Sequence, residues 1–167
     1  MLSVSSVRSS GGAANYFAKD NYYTVSENEE AGVWHGKGAS DLGLSGIVER
    51  EAFEDILNGK LPDGELVGQK EGRKLGIDLT FSMPKSASIM AYVAGDERIL
   101  AAHMSAVKKA VDFIERNYAE ARTYDKNPKG EPQKTGNVVV ALFAHDTSRA
   151  LDPQGHIHAV IANLSKD

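Results

Sequence analysis

Three histidines near the end of the sequence have the type and spacing of metal ligands. His156 and His158 are two residues apart in a segment with strand-like composition, so both imidazoles are expected on one face. His145 ends the preceding predicted strand, beyond the loop 146–155. If the strands pair as an antiparallel hairpin, the rings converge and can bind a divalent ion with open positions for substrate or water. Hydrolytic zinc enzymes and carbonic anhydrases share such patterns, so spacing does not name the reaction.

Two further residues have side chains that could act at such a site. Asp78 lies on the polar face of an alternating predicted strand, 76–82. A carboxylate there can accept the spare N–H of a metal-bound histidine, although a surface or capping carboxylate fits the pattern equally well. Tyr16 is one of six tyrosines, and a tyrosine nucleophile needs activation because its ordinary pKa is about 10. By itself, Tyr16 does not predict catalysis.

The composition sets limits on the class of protein. The 167 residues, 41% hydrophobic and 25% charged, are typical of one globular domain. There is no cysteine, so a metal must be held by imidazole and oxygen ligands, and a cytoplasmic location fits. No stretch approaches the roughly 20 apolar residues of a membrane span, so no membrane insertion is expected. The net charge of −4 is unusual for a nucleic-acid-binding protein, because phosphate contacts usually need a basic surface.

The elements that must position these residues follow an α+β pattern. Strands are predicted over 2–7, 76–82, 137–145 and 156–164. Helices are predicted over 13–19, 49–58 and 97–118, with another helical region starting at Ser86, and 119–136 is predicted as an exposed loop. We expect an antiparallel sheet with the metal site on one face and helices packed on the other.

With these motifs in order, the chain resembles the N-terminal relaxase domain of the MobF-type conjugative relaxases, the TrwC/TraI family of HUH endonucleases. The resemblance covers essentially the whole chain. It rests on Asn15-Tyr16-Phe17, Asn21-Tyr22-Tyr23, Gly36-Lys37-Gly38-Ala39, Leu42-Gly43-Leu44-Ser45-Gly46, the run from Asp78 to Ser86, Thr135-Gly136-Asn137, His145-Asp146-Thr147-Ser148-Arg149, and the run from Asp152 to Val160. The resemblance implies an RRM-like palm fold, with the metal site on the sheet.

The resemblance also implies a reaction and assigns roles to residues. A relaxase of this family nicks one strand of a plasmid transfer origin, forms a 5′-phosphotyrosine intermediate and can rejoin the strand, which initiates conjugative transfer. Tyr16 would be the nucleophile, and Asp78 would orient a ligand histidine, His158. Tyr22 and Tyr23 match a second tyrosine cluster that can act in a later transfer. The metal ligands would be the three histidines, His145, His156 and His158.

The family pattern differs from this chain at a few positions. Phe17 stands where relatives often have a second tyrosine, which leaves Tyr16 alone in the first cluster. Gly155 stands where relatives have a bulkier residue, and we expect it to loosen the loop. Lys85 and Arg149 are candidate phosphate contacts, with ordinary solvated surface charge as the alternative.

The same resemblance implies a metal cofactor, a set of partners and the part of the family's architecture that this chain covers. Mg²⁺ or Mn²⁺ is the expected ion, with Zn²⁺ or Ni²⁺ entering in preparations. The expected partners are single-stranded or hairpin origin DNA, relaxosome accessory proteins and a coupling protein, for a monomer in the bacterial cytoplasm. Residues 1–167 read as one palm domain without the family's C-terminal fingers and helicase regions. If DNA-gripping basic surface lies in those regions, this chain should bind DNA weakly and with strong salt dependence.

The sequence leaves two other functions open. One is a module that binds single-stranded or hairpin DNA without efficient cleavage, which would show metal-dependent binding and no covalent adduct. The other is a metallohydrolase unrelated to DNA, which would use an activated water and would be insensitive to substitution of Tyr16. The origin sequence, the physiological metal and the oligomeric state are not fixed by the sequence.

Overall fold

A five-stranded antiparallel sheet lies at the centre of the computed structural model, which describes residues 1–17, 32–123 and 130–165. Across the sheet the strands are β1 (Leu2–Val7), β3 (Gly76–Ser82), β7 (Pro153–Ala162), β6 (Val140–Thr147) and β2 (Val33–His35). Strands β6 and β7 are rich in aliphatic residues and are mostly buried, as suits the middle of a sheet covered on both faces. The predicted α+β class with an antiparallel sheet is confirmed.

Two helices lie on one side of this sheet. The long helix α5 (Glu97–Tyr118) begins where Asp96 accepts a hydrogen bond from the Arg98 amide at 3.2 Å. Its buried residues Val107 and Val111 belong to a core cluster that includes Leu142 and Ala159 of the sheet. The shorter helix α4 (Lys85–Tyr92) precedes it and packs against β7. The predicted bounds of the long helix agree with the structure.

Helices also cover the opposite face, which differs from the prediction of helices on one face. Helix α1 (Ser10–Phe17) and helix α3 (Arg50–Leu57) form a second core cluster with the sheet. Phe53 of α3 packs edge-on against Phe143 of β6, with ring centroids 5.1 Å apart. The histidines occupy only one end of this face. The rest of it is apolar, with buried Ala141 and Val160, and burying that surface favours the helical cover.

A buried carboxylate of α5 connects this helix to the neighbouring short helix α2 (Lys37–Asp41). Glu115 of α5 is 7% exposed. Its Oε1 accepts hydrogen bonds from the Lys37 amide at 2.7 Å and from the Val138 amide at 2.9 Å. Nearby, His35 Nε2 lies 2.7 Å from Asp112 Oδ1. These contacts fix the β2–α2 segment against the long helix.

The segment 119–136, predicted as a loop, contains a small hairpin of β4 (Glu120–Thr123) and β5 (Glu131–Lys134). The prediction was wrong because these strands are polar, and β5 is exposed throughout, so they lack the alternation that marks a half-buried strand. Within the described ranges, every helix is too short or too polar to cross a bilayer.

Candidate metal centre and adjoining cleft

The antiparallel register of β6 and β7 brings the three histidines together. His145 pairs directly with His156, and His158 follows two residues later on the same face. The candidate ligand nitrogens of the three rings all lie within 4.8 Å of one another. The ring centroids are 5.0–5.3 Å apart. Three imidazoles therefore converge at one end of the sheet.

A tight turn sets this register. The loop predicted between the strands is shorter than expected, because β6 continues to Thr147 and β7 already begins at Pro153. Ser148 closes the turn: its amide donates to the Asp152 carbonyl at 3.0 Å, and its Oγ accepts from the Ala150 and Asp152 amides. The pairing shifts register between His145 and Thr147, which accommodates the turn without displacing the His145–His156 pair.

A carboxylate on the neighbouring strand orients His158. Asp78 Oδ2 lies 2.8 Å from His158 Nδ1, and both residues are buried. Asp78 faces Val160 across the β3–β7 pair and so shares the histidine face. A carboxylate at Nδ1 selects the tautomer that carries its proton there and presents Nε2 as the ligand nitrogen. The position expected for a buttressing carboxylate is thus occupied by Asp78.

Thr80 also contacts Asp78 and His158, and it was not among the predicted site residues. Its Oγ1 donates to Asp78 Oδ2 at 3.3 Å and lies 3.1 Å from His158 Nδ1. Thr80 pairs with His158 in the register of β3 and β7. The strand pattern could have identified Thr80, because Thr80 is two residues from Asp78 on the same strand and therefore lies on the same face.

His156, another histidine of the cluster, contacts a backbone carbonyl and not a carboxylate side chain. His156 Nδ1 lies 2.9 Å from the Gln154 carbonyl oxygen. Burial lowers the pKa of His156 below its ordinary value, while the hydrogen bond with the Gln154 carbonyl and the nearby carboxylates of Asp78 and Asp146 oppose this shift. The lowered pKa favours the neutral ring, which is the form that binds metal.

The donor set fits a divalent transition ion. Three neutral imidazoles suit Zn²⁺, Cu²⁺, Fe²⁺ and Ni²⁺, whereas Mg²⁺ prefers oxygen ligands. A three-histidine site leaves further coordination positions open, as in catalytic metal sites. Among the described residues this is the cluster whose donor atoms could hold a metal ion.

A cleft of about 420 Å³ adjoins the histidine cluster at His158. Its lining includes His158 and Asp78, Arg149 from the β6–β7 turn, Arg8 from the connection between β1 and α1, and Ala13 of α1. Helix α1 thus borders the cleft, and Tyr16 lies in that helix, one turn beyond Ala13. Arg8 is a second cationic residue at the cleft that the sequence reading did not identify. Tyr22 and Tyr23 lie outside the described residues.

The two predicted phosphate contacts are placed differently. Arg149 is exposed and lines the cleft. Lys85 begins α4, and its Nζ lies 3.9 Å from Asp152 Oδ2, with both side chains about half exposed or more. A surface ion pair of that length contributes little to stability. Only Arg149 is brought beside the candidate centre by the fold.

Gly155 is not part of a loose loop, contrary to expectation. It is buried within β7, and a Cβ built on it would lie 2.5 Å from Met83 Cε and 2.8 Å from Met83 Sδ. The space that a larger side chain would use is thus filled by Met83. The absence of a side chain allows β7 to approach the end of β3 closely.

The family model described as TrwC relaxase matches residues 10–167. The multifunctional conjugation protein TraI of Escherichia coli strain K12 is 46% identical over 171 residues, which cover 99% of this chain and 10% of TraI.

Solved structures agree with this match. The conjugative relaxase TrwC in complex with oriT DNA, metal-free, has a TM-score of 0.86 and 40% identity, over 100% of this chain and 57% of that one. A copper-bound TrwC–oriT complex has a TM-score of 0.88 and 40% identity, over 99% of this chain and 58% of that one. The chain spans about a tenth of TraI and under three fifths of these TrwC chains, and on the family match it belongs to the TrwC relaxase family.

Proposed function

We propose that this chain nicks and rejoins one strand of DNA at a plasmid transfer origin through a 5′-phosphotyrosine intermediate, and so initiates conjugative transfer. The observation that carries the proposal is the three-imidazole cluster beside a cleft bordered by the helix that contains Tyr16. Family membership supports it, because TrwC was solved with a 27-mer DNA comprising the recognition hairpin and the cleavage site.

In the proposed reaction, the Tyr16 phenol gives up its proton to solvent and its oxygen forms a bond to the scissile phosphorus. The bond between phosphorus and the 3′-oxygen breaks, and that oxygen takes up a proton, which leaves a 3′-hydroxyl and a 5′-phosphotyrosine. Rejoining is the reverse: the 3′-hydroxyl attacks phosphorus and Tyr16 leaves. Bond energy is kept in the phosphotyrosine, so no external energy source is required.

The chain's own residues prepare this reaction. His145, His156 and His158 would hold the metal, which when bound polarises the phosphate and offsets charge on its oxygens. Asp78 fixes the His158 ring through the 2.8 Å contact at Nδ1. Arg149 at the edge of the cleft is positioned to contact a neighbouring phosphate. Tyr22 and Tyr23 are proposed for a second transfer.

For the metal, we propose that the physiological ion is Mg²⁺ or Mn²⁺ and that tighter-binding ions can replace it. Water and phosphate oxygens would supply the oxygen ligands that Mg²⁺ prefers, at the positions that the imidazoles leave open. Three neutral imidazoles bind Mn²⁺ more weakly than Ni²⁺ or Cu²⁺, following the usual order for divalent ions. Selection would then depend on which ion is available. Four further expectations stay predictions: relaxosome accessory proteins, a coupling protein, a monomeric state and a cytoplasmic location.

The test is covalent capture. The protein is incubated with a panel of single-stranded origin oligonucleotides and Mg²⁺ or Mn²⁺, and a protein–DNA adduct is sought by denaturing electrophoresis and mass spectrometry. We expect an adduct that is suppressed by chelation and lost in Tyr16→Phe. The matched control is Tyr118→Phe, at an exposed tyrosine on the end of α5, which should leave the adduct unchanged.

Two results would contradict parts of the proposal. An adduct that persists in Tyr16→Phe would move the nucleophile to another tyrosine, Tyr22 or Tyr23 being the first to test. Metal-dependent DNA binding with no adduct on any origin sequence would support the alternative function, a binding module without efficient cleavage.

A further inference from the structure

Met83, which follows β3, and Ser88 of α4 hold the backbone immediately before His156 through hydrogen bonds. The Gly155 amide donates to Ser88 Oγ at 2.9 Å, and the Gly155 carbonyl accepts from the Met83 amide at 3.0 Å. Gln154 Nε2 donates to the Met83 carbonyl at 3.0 Å. Both hydrogen-bonding groups of Gly155 and the side chain before it are thereby tied to the segment 83–88.

The two residues that hold this backbone, Ser88 and Met83, are both buried. Ser88 is 0% exposed, and its hydroxyl donates to the Pro84 carbonyl at 3.3 Å, which leaves an oxygen lone pair for the Gly155 amide. Met83 is also buried, and its side chain fills the space over the Gly155 Cα. A hydroxyl group on one side and a thioether on the other therefore fix where this backbone lies.

We propose that Ser88 and Met83 are positioning residues for the metal ligand His156. The His156 ring is oriented by the Gln154 carbonyl, 2.9 Å from Nδ1, and that carbonyl belongs to the backbone that Ser88 and Met83 fix. His158 is oriented by a carboxylate on a neighbouring strand, whereas His156 is oriented through main chain held by a helix. This inference rests on the metal centre of the proposed function and adds the residues that aim one ligand.

A small displacement of the backbone at Gly155 should weaken metal binding more than it destabilises the fold. A metal site requires its ligands within about 0.5 Å of the binding geometry. A shift of that size at Gly155 would be carried to the Gln154 carbonyl and then to the imidazole. The β6–β7 and β3–β7 pairings, which run the length of β7, would hold the fold together.

The primary test is titration of metal-free protein with Mn²⁺ alone and with Ni²⁺ alone by isothermal titration calorimetry. We expect Ser88→Ala to weaken binding about tenfold, at the low end of what outer-shell substitutions cause. The matched control is Ser86→Ala, at an exposed serine on the same helix, which should bind like the unmodified protein. Circular dichroism and a thermal melt verify that each variant is folded at the titration temperature.

A compensating pair provides an independent test. Gly155→Ala alone should weaken binding, because the new Cβ meets the Met83 side chain. Adding Met83→Ala makes room for that Cβ, so the double variant should bind metal more tightly than Gly155→Ala, as expected for coupled neighbours. Met83→Ala alone should bind metal more weakly than the unmodified protein, because the space over Gly155 is then empty. Rescue of this kind is not expected from a general loss of stability, because Met83→Ala itself removes packing.

The outcomes separate the two levels of inference. If the unmodified protein binds no metal, the proposed metal centre fails and the positioning role fails with it. If the unmodified protein binds metal and folded Ser88→Ala binds equally well, only the positioning role is overturned. The same conclusion follows if the double variant binds no better than Gly155→Ala.

Discussion

Replacement of Asp78 by asparagine should weaken metal binding while the protein stays folded. Asparagine has nearly the same shape as aspartate, and its amide oxygen can still accept the proton on His158 Nδ1, 2.8 Å away in the original contact. What is lost is the negative charge. A charged acceptor makes a hydrogen bond about twice as strong as a neutral one, and it raises the basicity of the ligand nitrogen.

The size of the effect follows from this contact. Loss of an outer-shell partner usually costs about 10–100-fold in metal affinity. Because the amide retains geometry, Asp78→Asn belongs at the low end, about tenfold or 1.4 kcal/mol. Asp78→Ala removes the acceptor altogether, so no carboxylate fixes the tautomer of His158. We therefore expect metal affinity to fall about a hundredfold.

The assay is calorimetric titration with Mn²⁺, supported by near-ultraviolet circular dichroism to verify tertiary structure. Asp55→Asn is the matched control, because Asp55 makes an exposed ion pair with Lys60 and is not part of the histidine cluster, so this variant should bind metal normally. If folded Asp78→Ala binds metal with unchanged affinity, the carboxylate does not support the ligand set, and the reasoning about its role is wrong.

Two other predictions concern stability. Glu115→Ala should lower the free energy of unfolding by about 2–4 kcal/mol, because the buried amide of Val138 and the partly buried amide of Lys37 lose their acceptor. Glu115→Gln should be milder, and urea unfolding in which Glu115→Ala costs under about 1 kcal/mol would contradict the assignment. Separately, the metal-free protein should lose stability as the pH falls below about 6.5. Burial is the main cause that lowers the pKa of His103 and of His156, so the unfolded chain binds more protons in that range. Thermal midpoints at pH 7.5, 6.5 and 5.5 check the sign, and a midpoint that rises on acidification would contradict it.

Much of the fold could be predicted because its central elements have strong local patterns. Alternation over 76–82 marked β3 and placed Asp78 on the polar face, and the apolar stripe marked α5. The convergence of the histidines was also predictable, since residues two apart on one strand share a face and a short connection favours antiparallel pairing. The catalytic roles, by contrast, come from resemblance to a family and stay predictions for this chain.

The features that could not be predicted depend on contacts between distant segments or on polar strands. The cover over Ala141 and Val160 is supplied by helices from other parts of the chain, which no periodicity in β6 or β7 reveals. The hydrogen bond from the Gly155 amide to Ser88 Oγ joins residues 67 positions apart. Met83 could not be recognised as the filler of the space at Gly155 from either local sequence. Such contacts are specified by the packing of the whole molecule.

The placement of the three imidazoles on one hairpin has a consequence for the order of assembly. All three lie between 145 and 158, joined by a turn of a few residues, so bringing them together costs little loop-closure entropy. Asp78 is 80 positions from His158 and arrives only when β3 docks. During refolding, a weak metal-binding hairpin can therefore form early, and a metal ion present at that stage would favour its register before the rest of the sheet is complete.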